Sequence, residues 1–178
     1  MKNKLIILNG SAGVGKTTIA RRYVDEHPLS LRLEGDSIIG MIGDWRSNEE
    51  AARKLKLAHI TSMIKVHLLA GHDVILPYLV TDNTHVEKFE ALAAEFQADF
   101  IEIILSTDKE TAVKRLLDRG AWGEEGSKQL TEVDVPRIER LYDLMINESR
   151  KRENIKMLPF VEDDIDFTYN NFLSIVRS

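Results

Sequence analysis

Gly10-Ser11-Ala12-Gly13-Val14-Gly15-Lys16-Thr17 satisfies G-x-x-x-x-G-K-[ST] at every fixed position. A polyphosphate carries several negative charges and has to be gripped at close range, and the residue types here suit that task. Glycines at 10, 13 and 15 let the backbone turn inward and aim its N–H groups at a phosphate. Ser11, Ala12 and Val14 supply the main chain between them. A helix beginning just after the loop would add its positive end. Lys16 would place a point charge between β- and γ-phosphates, and the Thr17 hydroxyl can ligate Mg²⁺. Thr18 is grouped with these contacts, but its side chain is expected to cap or pack rather than bind metal. A chance glycine-rich turn would look similar. The context argues against it, since the apolar run Leu5-Ile6-Ile7-Leu8 precedes the loop and a helical pattern follows.

Outward from this motif, short apolar runs alternate with longer helical ones, the pattern of a parallel α/β sheet. Strands are expected at Lys4–Asn9, Ser30–Glu34, Asp73–Val80, Phe100–Leu105 and Ile155–Val161. Helices are expected at Lys16–Glu26, Asn48–Ala70, Thr84–Phe96, from about Thr107 to Gly120, Asp134–Arg152 and Phe167–Val176. Ser47 with Glu50, Thr84 with Glu87 and Thr107 with Glu110 have the spacing of capping boxes. Leu55, Ile60, Ile64 and Leu68 read as the core face of the long helix. The glycine-rich, polar segment Ala121–Glu132 reads as a loop. Together these elements predict a three-layer α/β/α sandwich with a five-stranded parallel sheet. It would be a single domain over residues 1–178 with a mobile lid at about 120–133.

The 178 residues carry a formal charge of −5, are 43% hydrophobic and 30% charged, and include no cysteine. The missing cysteines exclude disulfides and thiolate chemistry. The acidic balance argues against a nucleic-acid backbone binder, though it leaves room for a local basic cleft. No apolar run approaches the ~20 residues of a membrane span. The N-terminal apolar stretch is too short for a signal peptide, so a cytoplasmic protein that keeps its N-terminus is expected. The five histidines lack metal-site spacing. GTPases would need an N/T-K-x-D segment and protein kinases the H-R-D and D-F-G elements, and none of these is present.

Three stretches carry a family resemblance: Ile6-Ile7-Leu8-Asn9-Gly10, the loop ending Gly15-Lys16, and Gly35-Asp36-Ser37-Ile38-Ile39. They resemble small P-loop phosphotransferases of the shikimate, gluconate and chloramphenicol kinase type, with the chloramphenicol phosphotransferase-like proteins nearest. The likeness is one of residues over the first forty positions and of layout beyond residue 45. It implies a kinase using ATP and Mg²⁺, with a substrate hydroxyl placed opposite the phosphate loop. It also implies that Asp36, after the second strand, acts as base or orients that hydroxyl. Phosphoryl transfer independently needs an in-line oxygen nucleophile whose proton a carboxylate can accept. Asp36 could also reach Mg²⁺ through a water, which groups it with Thr17 as a metal candidate. The plainer alternative for Asp36 is an N-cap for a helix starting near Ser37.

The resemblance further implies a cationic lid after the fourth strand. Arg115 and Arg119 lie one helical turn apart at positions where related kinases contact nucleotide and phosphate, with Lys128 and Arg137 beyond them. A solvated helix face that pairs with Glu110 or Asp118 is the alternative for the two arginines, and plain exposure of a charged loop residue for Lys128 and Arg137. Ala121-Trp122-Gly123 departs from the arginine-rich lids of the family. Trp122 could cover adenine or substrate, or could pack the lid down. An acceptor pocket is expected near Asp44, Trp45 and Arg46, with Tyr78 facing it from the third strand. A helix-turn cluster and a core tyrosine are the alternatives. Arg32 is expected to pair structurally. Glu162-Asp163-Asp164 reads as a loop beside the adenine, with Asp166 to Asn170 touching the base through backbone groups. The expected partners are a nucleotide and a small-molecule acceptor, such as an antibiotic, a sugar acid or a related metabolite. The sequence leaves oligomeric state open. A nucleoside or nucleotide kinase, or a non-catalytic ATP-binding switch, would share most of these features.

Overall fold

The computed structural model describes residues 2–123, 126–161 and 164–178. Five parallel strands form one sheet in the order β2-β3-β1-β4-β5. They are β1 (Lys4–Asn9), β2 (Leu31–Arg32), β3 (Val74–Tyr78), β4 (Asp99–Ser106) and β5 (Lys156–Pro159). Leu5 to Leu8 of β1 are fully buried because helices cover both faces of the sheet. Their side chains alternate. Ile6 and Leu8 join a core with α1 (Lys16–Glu26) and α7 (Ile165–Arg177). Leu5 and Ile7 join one with α3 (Glu49–Leu69) and α4 (Asn83–Glu95). The expected α/β/α sandwich is therefore the observed one.

The sheet tolerates Pro77 inside β3 because β2 ends opposite Ile75, so the proline lies past that ladder. The chain leaves β1 between β3 on one side and β4 on the other. That strand-order reversal opens a crevice at the carboxyl ends, where Gly10 follows Asn9. α2 (Gly35–Gly40) follows β2, and α5 (Lys109–Arg119) follows β4. A 3-10 turn (Glu132–Asp134) then leads into α6 (Val135–Ser149).

None of the three expected capping boxes forms. Asn48 caps α3 without a side-chain bond, whereas the Asp82 and Asp108 carboxylates accept from the Thr84 and Thr111 N–H groups. In each case the cap is the residue whose backbone is still outside the helix, one or two positions from the one expected. Leu55 is half exposed, so it is not core. It lies five residues before Ile60, off the i, i+4 face shared by Ile60, Ile64 and Leu68.

Below the crevice sits a buried polar tie. The Asn9 amide oxygen accepts from the N–H groups of Gly10 (2.7 Å) and Val80 (3.0 Å), joining the ends of β1 and β3. Its nitrogen donates to Glu102 on β4, which in turn accepts from Arg152 just after α6 (Nε to Oε2, 2.9 Å). Arg152→Ala would leave the Glu102 carboxylate buried without its counter-charge. The expected loss is about 3 kcal/mol of unfolding free energy, read by urea denaturation. A loss below about 1 kcal/mol would mean that water replaces the guanidinium.

Candidate active site

The loop between β1 and α1 adopts the geometry its glycines permit. Gly10 sits at φ 149, and a Cβ there would stand 2.6 Å from the Leu105 carbonyl oxygen. Gly15 is the N-cap of α1 at φ 100, with no side chain to cap the helix and no acidic residue in its first turn. The first N–H groups of α1 are therefore available to an anion. Val14 is buried in the core, so only its main chain can contribute. Ala12, Gly13, Gly15, Lys16, Thr17 and Thr18 all line a large cleft of about 1260 Å³.

The Lys16 ammonium donates to the carbonyl oxygens of Gly10 (2.8 Å) and Ser11 (2.7 Å). Burial of that ammonium lowers its pKa to about 7, Asp36 opposes the shift, and Arg119 adds to it. The residue as a whole is only half-buried, and the loss of water at its charged end is what matters. A polyphosphate arriving beside it would restore the charged form. Binding above pH 7 therefore takes up a proton, and affinity is expected to fall by up to about tenfold per pH unit from pH 7 upward. Below pH 7 the lysine is protonated in both states and no such dependence is expected. Calorimetry of AMPPNP binding in buffers of different ionisation enthalpy would show the uptake, and Lys16→Met would abolish it.

Asp36 lies in the first turn of α2, exposed to the cleft. The N-cap is Glu34, so the reading of Asp36 as helix cap is corrected. The opposite wall comes within van der Waals range, because a Cβ added at Gly123 would collide with Asp36 Oδ2. Arg119 also lines the cleft, its Nε donating to the Ala121 carbonyl (2.8 Å). Arg115 is not a lining residue of that cleft. Its Nε donates to Gly13 O (3.3 Å) and its guanidinium lies 4.3 Å from the Phe160 ring centre. Gly15 faces the same ring. Arg115 thus holds the phosphate loop at Gly13, while Arg119 lines the cleft.

Trp45, Arg46, Tyr78, Trp122, Lys128 and Arg137 all line the cleft. Tyr78 is within reach of His85 (hydroxyl to Nδ1, 3.0 Å), and burial pushes its pKa up to about 12. Burial also lowers the His85 pKa. Asp44 is not a lining residue. It turns the chain at φ 47, and its carbonyl accepts from Asn48. Arg32 pairs with Glu34 (3.0 Å). Asp166 to Asn170 lie inside α7, with Asp166 bonded to Arg22, so no backbone contact to a base is expected from them. Glu162 and Asp163, and Glu124 and Glu125 of the expected lid, lie outside the described residues.

Arg53, Lys56 and His85 also line the cleft. Sequence reasoning missed them because alternating charges on a long helix look like a solvated face. The available signal was the 3–4 spacing of Glu49, Arg53, Lys56 and Leu57 beside Trp45 and Arg46.

Residues 5–141 match the family model described as an AAA domain. No curated protein matches the sequence. Among solved structures, the chain is similar to a gluconokinase from Sinorhizobium meliloti 1021, at 13% identity and TM-score 0.62 over 99% of this chain and 93% of that one. It is similar to the Mycobacterium tuberculosis APS kinase in complex with AMPPNP and APS, at 18% identity and TM-score 0.59 over 99% of each chain. A third match, from Chloroflexus aurantiacus j-10-fl, has 17% identity and TM-score 0.72 over 99% and 98% of the two chains. At these identities the likeness is one of fold.

Proposed function

We propose, from the premise that the chain belongs to the AAA domain family and has the fold of small P-loop kinases, that it is an ATP- and Mg²⁺-dependent phosphotransferase. It moves the γ-phosphoryl group to a hydroxyl of a small molecule. The observation that carries this reading is the pairing across one cleft of an uncapped α1 N-terminus bearing Lys16 with an exposed carboxylate, Asp36. A binding switch has no use for the second of these.

Gly10 to Thr17 would hold the β- and γ-phosphates through backbone N–H groups and Lys16, with Arg115 and Phe160 beside the nucleoside. The exposed Thr17 hydroxyl fits a Mg²⁺ ligand, and the ion would neutralise phosphate charge there. The acceptor hydroxyl lies toward Asp36, which takes its proton. The new O–P bond forms as the bond to the β–γ bridging oxygen breaks, and ADP leaves with that electron pair. Lys16 and Arg119 stabilise the charge shared among the transferring oxygens. Residues 121–123 and 126–131 serve as a lid that excludes water, tied at its base by the Leu130 N–H to the Gly120 carbonyl (2.8 Å). The site works as a single domain, and the chemistry suits the cytoplasm, where ATP is abundant.

The test is ADP release from Mg²⁺-ATP across a panel of hydroxylated antibiotics, sugar acids and nucleosides. At least one compound is expected to raise turnover well above background. A flat panel, with nucleotide still bound, would favour the switch.

A further inference from the structure

The long helix α3 is apolar on two opposite faces. Ile60, Ile64 and Leu68 are buried against the sheet. Half a turn away, Leu55, His59, Ser62, Val66 and Leu69 are exposed, and none of them is an acid, lysine or arginine. Their spacing of four, three, four and three residues is that of a coiled-coil seam. Ten large apolar side chains are exposed among the described residues, and five of them gather here. Leu55 (50%), Val66 (71%) and Leu69 (76%) lie in the seam, Met63 beside it, and Leu29 (70%) next to its end. His67 Nε2 stands 2.6 Å from the Leu29 carbonyl, which docks that leucine against α3. Single exposed apolar residues need no explanation, but half of them on one stripe mark a contact surface.

The stripe reads alike in both directions from Ser62. An identical helix turned about a two-fold axis at Ser62 sets Leu55 against Leu69, His59 against Val66, and Ser62 against its own copy. A partner of another sequence would require no such symmetry. Neighbouring charges are engaged within the chain, Lys54 with Glu50 (2.7 Å) and Lys65 with Glu95 (3.8 Å). With Ala58, His59 and Ser62 counted, the patch offers on the order of 600 Å² per protomer, the lower edge of a standard stable interface. The cleft stays open, because Glu49, Arg53 and Leu57 line it from the inner side of α3.

We propose that α3 is the interface of a homodimer, packed antiparallel on a second copy of itself about Ser62. Helix axes about 8–10 Å apart bring the facing Ser62 Cα atoms to roughly 4–6 Å, within reach of a disulfide between cysteines placed there. The pairing goes beyond the phosphotransferase reading and does not depend on it.

Sedimentation of the full chain is expected to pass from monomer to dimer at a concentration on the order of 10 μM. Val66→Glu buries a carboxylate in the seam and should weaken the pairing at least about tenfold. Its melting temperature in dilute solution and its AMPPNP affinity should match the wild type, since residue 66 is exposed in the monomer and lies off the cleft. The chain has no cysteine, so Ser62→Cys introduces the sole thiol and tests the geometry without a disruptive change. Mild oxidation should link it into dimers. Leu55→Cys, whose copies would stand about 21 Å apart along the paired helices, should stay unlinked. A wild type that remains monomeric, a dimer indifferent to Val66→Glu, or equal linking of the two cysteines overturns the proposal. Flotation of the monomer with vesicles of equimolar phosphatidylcholine and phosphatidylserine, lost in Val66→Glu, would give the stripe to a membrane surface and overturns it as well.

Discussion

A Lys16→Met protein is expected to turn over at least about 10³-fold more slowly than the wild type and to bind AMPPNP far more weakly. The ammonium is the only side-chain charge carried by the phosphate loop itself, and it is already held at the loop by two carbonyl oxygens. Methionine keeps the apolar stem and much of the volume, so the loss isolates the charge. Stability moves the other way. The folded-state pKa of Lys16 lies near 7, below its ordinary 10.5, so burying the charged form is unfavourable and fully felt below pH 7. That penalty fades as pH rises from 7 toward 10.5. The variant is therefore expected to unfold at a higher temperature than the wild type at pH 6, and the gap should narrow by pH 9. Nucleotide affinity from calorimetry and melting from circular dichroism at the two pH values check both halves. Wild-type affinity in Lys16→Met would remove the phosphate-loop assignment altogether.

The parts of the fold that were legible in sequence are those set by periodicity. The buried run Leu5 to Leu8, the motif after it and the helix Lys16–Glu26 stand where the pattern puts them, because central strands and the loop they feed tolerate little variation. Edges were less legible. β2 shrinks to Leu31–Arg32 and β5 to Lys156–Pro159, since an edge strand pairs on one side only and its ends are free to leave the ladder. Helix starts were misplaced by one or two positions. Asp82, Asp108 and the 3-10 turn at Glu132–Asp134 exploit local hydrogen bonds that compete with the spaced pairs a sequence suggests. The candidate site divides in the same way. The phosphate loop is one contiguous segment and can be read directly. The rest of the cleft draws Arg46, Arg53, Tyr78, Trp122 and Arg137 from separate elements, and only the topology brings them together. The glycine that meets Asp36 could not be foreseen at all, because nothing in the sequence links position 123 to position 36.

Asp36→Asn is the second large effect, and the fold makes its interpretation clean. Asp36 sits one residue inside α2, whose N-cap is Glu34, so the carboxylate closes no helix. Its favourable interaction with the helix N-terminus is worth about 0.3–1 kcal/mol, and an amide of the same shape loses no more than that. Unfolding should therefore change little, while kcat falls about 10²- to 10⁴-fold, because asparagine cannot take the acceptor's proton. KM for ATP should hold, since the phosphate loop is untouched. Gly123→Ala attacks the same carboxylate from the facing loop. The new methyl would collide with Oδ2, and a flexible side chain would yield by rotating away. That variant is expected to keep its fold and its nucleotide affinity yet lose a large part of kcat, because the base is turned rather than removed. If both variants work within about threefold of wild type, Asp36 serves the α2 dipole alone, and proton removal must be assigned elsewhere in the cleft. His85 beside Tyr78 is then the group to test, its lowered pKa leaving it neutral and able to accept a proton at pH 7.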